Sequence, residues 1–250
     1  MAAFIGFFVL WEALTVVFSV PIYTLPAPTD ILAVMIEKRS LLLEHSWVTF
    51  SESAIGLGLS IVLSIPLGIL IVYSSWIERT VYPFLVASQA IPKVALAPIF
   101  VVWFGFGLLP KVLIAFFIAF FPIVVNTVVG LSRTPPEMIH LMRSLGASPI
   151  QILLRVRLMS AAPYIFAGIK IAAAFAVVGA IVGEFIAASS GLGYLQLVAN
   201  NNFEIPLLFG TLVVLSVMGI AFFYLVSLVE FLILPRPLRH SRDNAGGSTL

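Results

Sequence analysis

The chain has 250 residues, of which 61% are hydrophobic and only 10% are charged, and its formal net charge is +2. A soluble domain is about half apolar and about a quarter charged, so this chain has too little polar surface for a water-facing globule and is expected to lie in a lipid bilayer. The small net charge argues against a nucleic-acid partner, and a sequence without cysteine can form neither disulfides nor thiolate metal sites.

Six stretches approach or exceed the length of about 20 apolar residues that a helix needs to cross the hydrocarbon layer. We predict an all-α integral membrane protein with six transmembrane helices in one domain, residues 1–234, followed by a polar tail, 235–250. The predicted spans lie at about residues 3–20, 47–73, 81–106, 111–131, 163–188 and 207–234.

The second predicted span carries a face of small residues. Small side chains allow helices in a membrane to approach closely, so we expect another helix to pack against this face. The residues concerned are Gly56, Gly58, Ser60, Ser64 and Gly68.

The third predicted span is interrupted by prolines and contains Gln89 and Lys93. Non-helical backbone at membrane depth lies inside protein or lines a water-filled cavity, and a cation at mid-span costs about 2.5–3.5 kcal/mol on insertion scales. Lys93 therefore either lines a path or is satisfied structurally, by carbonyl groups freed at Pro92 or by a carboxylate such as Glu184. The prolines are Pro83, Pro92 and Pro98.

The fifth predicted span contains two charged residues. Glu184, near its outer end, either lines the path or its outer gate, or is an interfacial carboxylate in water. Lys170, about two turns from the other end, most simply extends its ammonium group to the membrane surface.

Residues 133–162 form the longest basic, helix-patterned interval between predicted spans. Thr134 and Glu137 have the spacing of a capping box, with Pro135 at the first helical position. Gly146 is expected to end the helix that follows. Ser148, Pro149 and Gln151 then repeat the capping pattern and start a second helix.

The first helix of this interval is amphipathic, because Met138, Leu141, Met142 and Leu145 follow at i, i+3, i+4 and i+7. A short helix of this kind beside a membrane either lies on lipid head groups or enters a groove on a soluble partner. The pattern alone leaves both possibilities open.

The interval resembles the cytoplasmic coupling loop of ATP-binding-cassette (ABC) importer permeases, whose pattern is E-A-A, three residues, G, nine residues, I-x-L-P. Aligned on Gly146, the chain keeps the glycine, the spacing and Leu158. It has His140 at the acidic position and Met159 at the proline position.

A second resemblance is narrower. Residues 91–98, I-P-K-V-A-L-A-P, and residues 103–105, W-F-G, resemble the nitrate/sulfonate/taurine-type permeases within that family. The resemblance implies a type I ABC importer permease fold with a cytoplasmic coupling helix. The translocation path would involve Gln89, Lys93, Trp103 and Glu184. The ATPase contacts would be Glu137, Met138, His140, Leu141, Met142, Leu145, Gly146 and Ala147.

The same resemblance implies partners in a bacterial plasma (inner) membrane. These are two ABC ATPase subunits, a second and usually identical permease copy, and an extracytoplasmic substrate-binding protein. The chain has no phosphate-binding G-x-x-x-x-G-K-[ST] motif. We also find no carboxylate pair, histidine cluster or Ser-His-Asp set at one membrane depth, so we expect no catalysis, cofactor or metal on this chain.

If the coupling loop is cytoplasmic, eight arginines lie on its side against three basic residues opposite, Lys38, Arg39 and Lys111, which places both termini in the cytoplasm. The family carries small anionic solutes such as nitrate, sulfonates and taurine, and we expect the same here. A thiamine-precursor pyrimidine or an aromatic acid is the alternative solute. A stand-alone secondary transporter would show inverted repeats, which we do not find.

Overall fold

A computed structural model describes residues 2–234 of the chain, apart from the side chains of residues 2–4 and 187. Over this part all regular structure is helical, and the predicted tail lies outside it. The helices are α1 (Ala2–Val17), α2 (Pro28–Glu37), α3 (Arg39–Tyr73), α4 (Ser75–Ser88), α5 (Ala97–Phe104), α6 (Leu108–Ser132), α7 (Pro136–Ser144), α8 (Pro149–Ile152), α9 (Leu158–Ala187), α10 (Leu192–Asn201) and α11 (Ile205–Ile233).

Two short helical segments complete the list. A 3₁₀ turn, Lys93–Leu96, precedes α5, and a π-helical turn, Leu153–Arg157, joins α8 to α9.

Four of the described helices are long and apolar enough to cross a membrane: α3, α6, α11 and the continuous stretch Pro149–Ile186. The segments Ser75–Ser88 and Lys93–Phe104 meet the same test only together, and they are bent by 88°. α1 has 16 residues and is shorter than the predicted first span. The described helices therefore supply four spans, or five with the bent pair, and the six-span count stays a prediction.

The core of the described structure is a stack of α3, α6 and α9. The predicted small face of α3 does meet α6: Ser60 and Ser64 donate hydrogen bonds to carbonyl oxygens of α6, each at 3.0 Å. A Cβ atom at Gly56 would lie 2.6 Å from Cβ of Ala115. Gly58 is the exception, because a Cβ there would meet nothing within 4 Å.

α9 approaches α6 equally closely. A Cβ atom at Gly179 would lie 2.5 Å from Cα of Ala115, and one at Gly183 would lie 2.8 Å from Cα of Lys111. Lipid tails are as apolar as the side chains, so close contact between backbones holds such helices together.

The contacts also give the helix directions. Residue numbers rise together along α3 and α6 but oppositely along α6 and α9, so α3 and α6 are parallel and α9 is antiparallel to both. α3 and α6 begin, and α9 ends, at one end of the stack. We call this the α10 end, and the opposite end, where α7 lies, the α7 end.

The predicted caps of the loop between α6 and α9 have mixed outcomes. The capping box at Thr134 is wrong: α7 begins at Pro136 after Pro135, and the Thr134 hydroxyl donates instead to the carbonyl of Leu131 at the end of α6. The box at Ser148 is confirmed, because its hydroxyl accepts from the amide of Gln151 and its own amide donates to the Gln151 side chain.

Gly146 ends α7 as predicted. Its φ of 77° is the left-handed conformation that glycine adopts readily. Its amide donates to the carbonyl of Arg143, and the amide of Ala147 donates to that of Met142. This pair of bonds is the Schellman pattern, which satisfies carbonyl groups at the helix end.

The close α3–α6 contact gives a matched pair of substitutions. Gly56→Leu should destabilise the protein by about 1–3 kcal/mol or more, because backbone and side-chain atoms of α6 occupy the space, whereas Gly58→Leu should leave stability unchanged. The midpoint of thermal unfolding, measured on detergent-purified protein, checks both. Equal midpoints for the two variants would contradict the packing described.

Candidate functional site

An apolar stripe lies on the outer surface of α7. Met138, Leu141 and Leu145 are 48%, 59% and 72% exposed, whereas Met142 is half-buried. Three of the four residues of the predicted stripe are therefore exposed, and the fourth is half-buried. Glu137, His140 and Gly146 are also exposed, and Ala147 is half-buried.

The exposed apolar surface continues beyond the predicted residues. Ile150 on α8 and Leu154 in the π-helical turn are 64% and 56% exposed. We did not select them from the sequence, although both follow the Ser148 cap within two turns. The surface is suited to a groove on a partner, since apolar side chains at helical spacing are the usual anchors there.

The second feature is an elbow formed by α4, the 3₁₀ turn and α5. The chain breaks at Pro92, as predicted, and Pro98 stands at the start of α5. Pro83, by contrast, lies inside α4 without breaking it. Gln89, at the end of α4, is exposed, and Trp103 is 69% exposed.

Lys93 lies at the bend of this elbow. Its ammonium nitrogen is 4.5 Å from the centroid of the Phe121 ring, a favourable contact of a cation with an aromatic face. Within residues 2–234 no carboxylate is in ion-pair distance of Lys93. The suggested pairing of Lys93 with Glu184 is therefore wrong, and its charge has no counter-ion in the described chain.

Glu184 instead belongs to a buried polar site at the α10 end, where it is 1% exposed. The Thr49 hydroxyl donates to Oε1 at 2.6 Å, and the Gly193 amide donates to Oε2 at 2.5 Å. The alternative of an interfacial carboxylate in water is thus wrong. Glu184 joins α9 to α3 and to the first turn of α10.

Two further bonds complete the start of α10. The amide of Leu192 donates to the Thr49 hydroxyl at 2.8 Å, and the amide of Gly191 donates to Nδ1 of His45 at 2.9 Å. The first amide groups of a helix have no partner within the helix, and here side chains from α3 and α9 supply the acceptors.

The same site holds a buried ion pair between α3 and α6. Glu52 and Lys111 are 0% and 6% exposed and form an ion pair, and Glu52 is close enough to Glu184 for their charges to interact. Two expectations are corrected. Lys111 is not a surface cation, and two carboxylates do share one depth.

A separate ion pair joins α9 to α11. Lys170 pairs with Glu230, and both side chains are largely buried. The expected extension of Lys170 to the membrane surface is therefore wrong, because a carboxylate on the neighbouring helix is a nearer partner.

The residues predicted for the path are not brought together in the described chain. Lys93, Gln89 and Trp103 lie on the elbow, and Glu184 lies in the buried site. His45, Thr49 and Lys111 were missed as members of that site. The shared depth of Lys111 and Glu184 could have been inferred from the sequence. Lys111 lies near the start of α6 and Glu184 near the end of α9, and the two helices are antiparallel, so both residues lie at the same level.

Residues 60–239 match the family described as "Binding-protein-dependent transport system inner membrane component". The chain belongs to this family. It is the permease subunit of an ABC importer, a non-enzymatic membrane component. The predicted importer permease family is thereby confirmed, and the narrower nitrate/sulfonate/taurine type stays a prediction.

Relatives of known name cover most of the permease. It is 40% identical to the formylaminopyrimidine transport permease ThiX of Halalkalibacterium halodurans over 233 residues, 93% of each chain. It is 37% identical to the riboflavin transport system permease RibX of Chloroflexus aurantiacus, over 90% of this chain and 85% of that one. A Bacillus subtilis permease named for aliphatic sulfonates, SsuC, is 28% identical over 84% of this chain and 77% of that one.

Among solved structures, an inward-facing form of the MetNI methionine ABC transporter superposes with a TM-score of 0.70 at 20% identity, covering 80% of the permease and 99% of that chain. At this identity the likeness shows the fold, and it confirms the type I importer permease fold.

The buried ion pair predicts that a second substitution rescues the first. Lys111→Met should destabilise the permease by about 3–5 kcal/mol, because Glu52 is left charged and buried without a partner. Adding Glu52→Gln should recover most of the loss. Thermal unfolding of the four proteins in a double-mutant cycle measures the coupling. Additive losses would show that the two side chains do not interact.

Proposed function

We propose that this permease imports a planar nitrogen heterocycle of the pyrimidine or flavin class, powered by ATPase subunits that clamp the exposed face of α7. The observation that carries the coupling role is the apolar surface of Met138, Leu141 and Leu145, capped at Gly146, on a chain of a family driven by separate ATPases.

The structure around α7 suits a lever. α7 is capped at its end by Gly146, and the short link 145–148 leads directly into α8, the π-helical turn and α9. α9 packs along the whole of α6. A displacement of α7 would therefore move α9 instead of being absorbed by a flexible loop.

The proposed cycle is alternating access. ATP binding draws the two ATPase subunits together, α7 moves with them, and the spans tilt to open outward. Hydrolysis returns them to the inward-open state. A second permease copy would complete the path, and the exposed face of the elbow, with Lys93 and Trp103, would line it together with Gln89.

The orientation follows from the same proposal. The α7 end would face the cytoplasm of a bacterial cell, since Arg133, Arg143, Arg155 and Arg157 lie on or next to α7 and its link to α9. The α10 end would face the extracytoplasmic side, from which a binding protein delivers the solute.

The relatives favour a heterocycle as the solute. The permeases named for formylaminopyrimidine and riboflavin are 40% and 37% identical to this chain, and the one named for sulfonates is 28% identical. A small anion is the second candidate, and it is favoured by Lys93, which has no counter-ion among residues 2–234.

Charge placed on the α7 face should break coupling. Leu145→Asp should abolish assembly with the ATPase and ATP-dependent uptake, since a carboxylate in an apolar groove is left unpaired. Ser144→Asp adds the same charge to the neighbouring exposed position and should retain both activities. Co-purification of the ATPase and uptake into proteoliposomes are the measurements. Normal uptake by the Leu145 variant would refute the role of α7.

The proposed path role of Lys93 can be tested by comparing its replacement with that of Lys111. Lys93→Met should reduce ATP-dependent uptake at least several-fold without lowering the yield of folded protein, because Lys93 makes no buried ion pair. Lys111→Met should lower the yield itself. Uptake of labelled formylaminopyrimidine, riboflavin and an alkanesulfonate also distinguishes the two solute classes. A loss of folded Lys93 variant would mean that this lysine is structural.

A further inference from the structure

The α10 end presents a short helix that is held at both of its ends. Its start is bound through Gly193 to Glu184, and its exit is bound by an ion pair between Glu204 and Lys38, the residue that joins α2 to α3. Lys38 and Glu204 are 166 positions apart in the chain. α10 is thereby fixed to α3 and α9 as one rigid piece.

The turn that leaves α10 places an aromatic ring on the surface. Phe203 is 78% exposed and has a φ of 57°. A bulky residue in this conformation is rare, and it persists only where the surroundings hold it. Here the Phe203 amide donates to the carbonyl of Asn200 at 3.2 Å, and the amide of Glu204 donates to that of Ala199 at 2.8 Å.

Neutral polar residues come directly before the ring in the chain. Asn200, Asn201 and Asn202 precede Phe203, and all three are exposed. A central aromatic anchor with a polar rim is typical of protein interfaces. Residues 189–206 contain no lysine or arginine, and the neighbouring Lys38 is paired with Glu204, so the segment itself lacks the cations that attract a surface to anionic lipid head groups.

We propose that Phe203 and the turn 200–203 are the point at which the soluble solute-binding protein docks on the permease. This rests on the proposed function, in which the α10 end faces the side where that protein arrives. The bonds of Glu184 and Thr49 then connect the docking point directly to α9 and α3. Docking would be transmitted to the helices whose other ends lie at the α7 end.

The test uses the assembled permease and ATPase in liposomes, with the binding protein encoded in the same gene cluster as the probe. Phe203→Asn removes the ring while keeping a residue that tolerates positive φ, so the turn can keep its conformation. The binding-protein concentration that gives half-maximal ATPase stimulation should rise about tenfold, the loss expected of one interface anchor. The rate at saturating binding protein should equal that of the wild type.

Phe231→Ala is the control, because Phe231 is also an exposed phenylalanine (60%) but lies at the opposite end of α11. It should leave the half-stimulating concentration unchanged. A Phe203→Asn curve that overlays the wild type would overturn the inference. A second result would also overturn it: an unchanged half-stimulating concentration together with a lower yield or a lower maximal rate. That pattern indicates that Phe203 is a lipid anchor or has a structural role.

A photoreactive benzoylphenylalanine in place of Phe203 gives an independent measurement. A cross-link to the purified binding protein supports the inference, and cross-linking to lipid alone overturns it. If the wild-type complex is not stimulated by the binding protein at all, the proposed function fails, and the inference fails with it.

Discussion

The pairing of charges inside the membrane is the constraint on which this structure depends. A carboxylate or ammonium group in a low-dielectric interior is costly unless a partner satisfies it. Glu52 meets this demand through Lys111, and Glu184 through Thr49 and the start of α10. These partners lie on different helices, so satisfying them fixes α3, α6, α9 and α10 relative to one another. The α10 end of the permease is therefore tied together by polar bonds as well as by packing.

Within the described part of the chain, the elbow and α7 lack the buried polar bonds that tie the α10 end together. α4 contains no buried residue, and Lys93 contacts an aromatic ring but no carboxylate within residues 2–234. α7 shows its apolar side chains to the outside. Parts with few buried contacts open at the lowest free-energy cost, so we expect movement at α4, whereas α7 is expected to move together with α9. A rigid α10 end beside a mobile α4 suits the alternating-access cycle that we propose.

Patterns within one helix were predictable from the sequence, and partners between helices were not. Gly56, Ser60 and Ser64 belong to a small-residue face, which predicted close packing of another helix, and that helix is α6. The pairing of Glu52 with Lys111 depends on the register of two helices, which no local pattern encodes. Thr134 shows the limit even locally, since its hydroxyl bonds to Leu131 at the end of the preceding helix instead of capping the next one.

The most direct test of this account is a distance measurement between spin labels in the assembled transporter, for which the cysteine-free sequence is convenient. Labels at Leu43 on α3 and Asn201 on α10 report on the α10 end, and labels at Ser144 of the two proposed permease copies report that ATP has closed the complex. We expect the Leu43–Asn201 distance to stay the same without nucleotide and with trapped ATP, while the Ser144 distance shortens. A change of several ångströms between Leu43 and Asn201 would contradict a rigid, charge-paired α10 end.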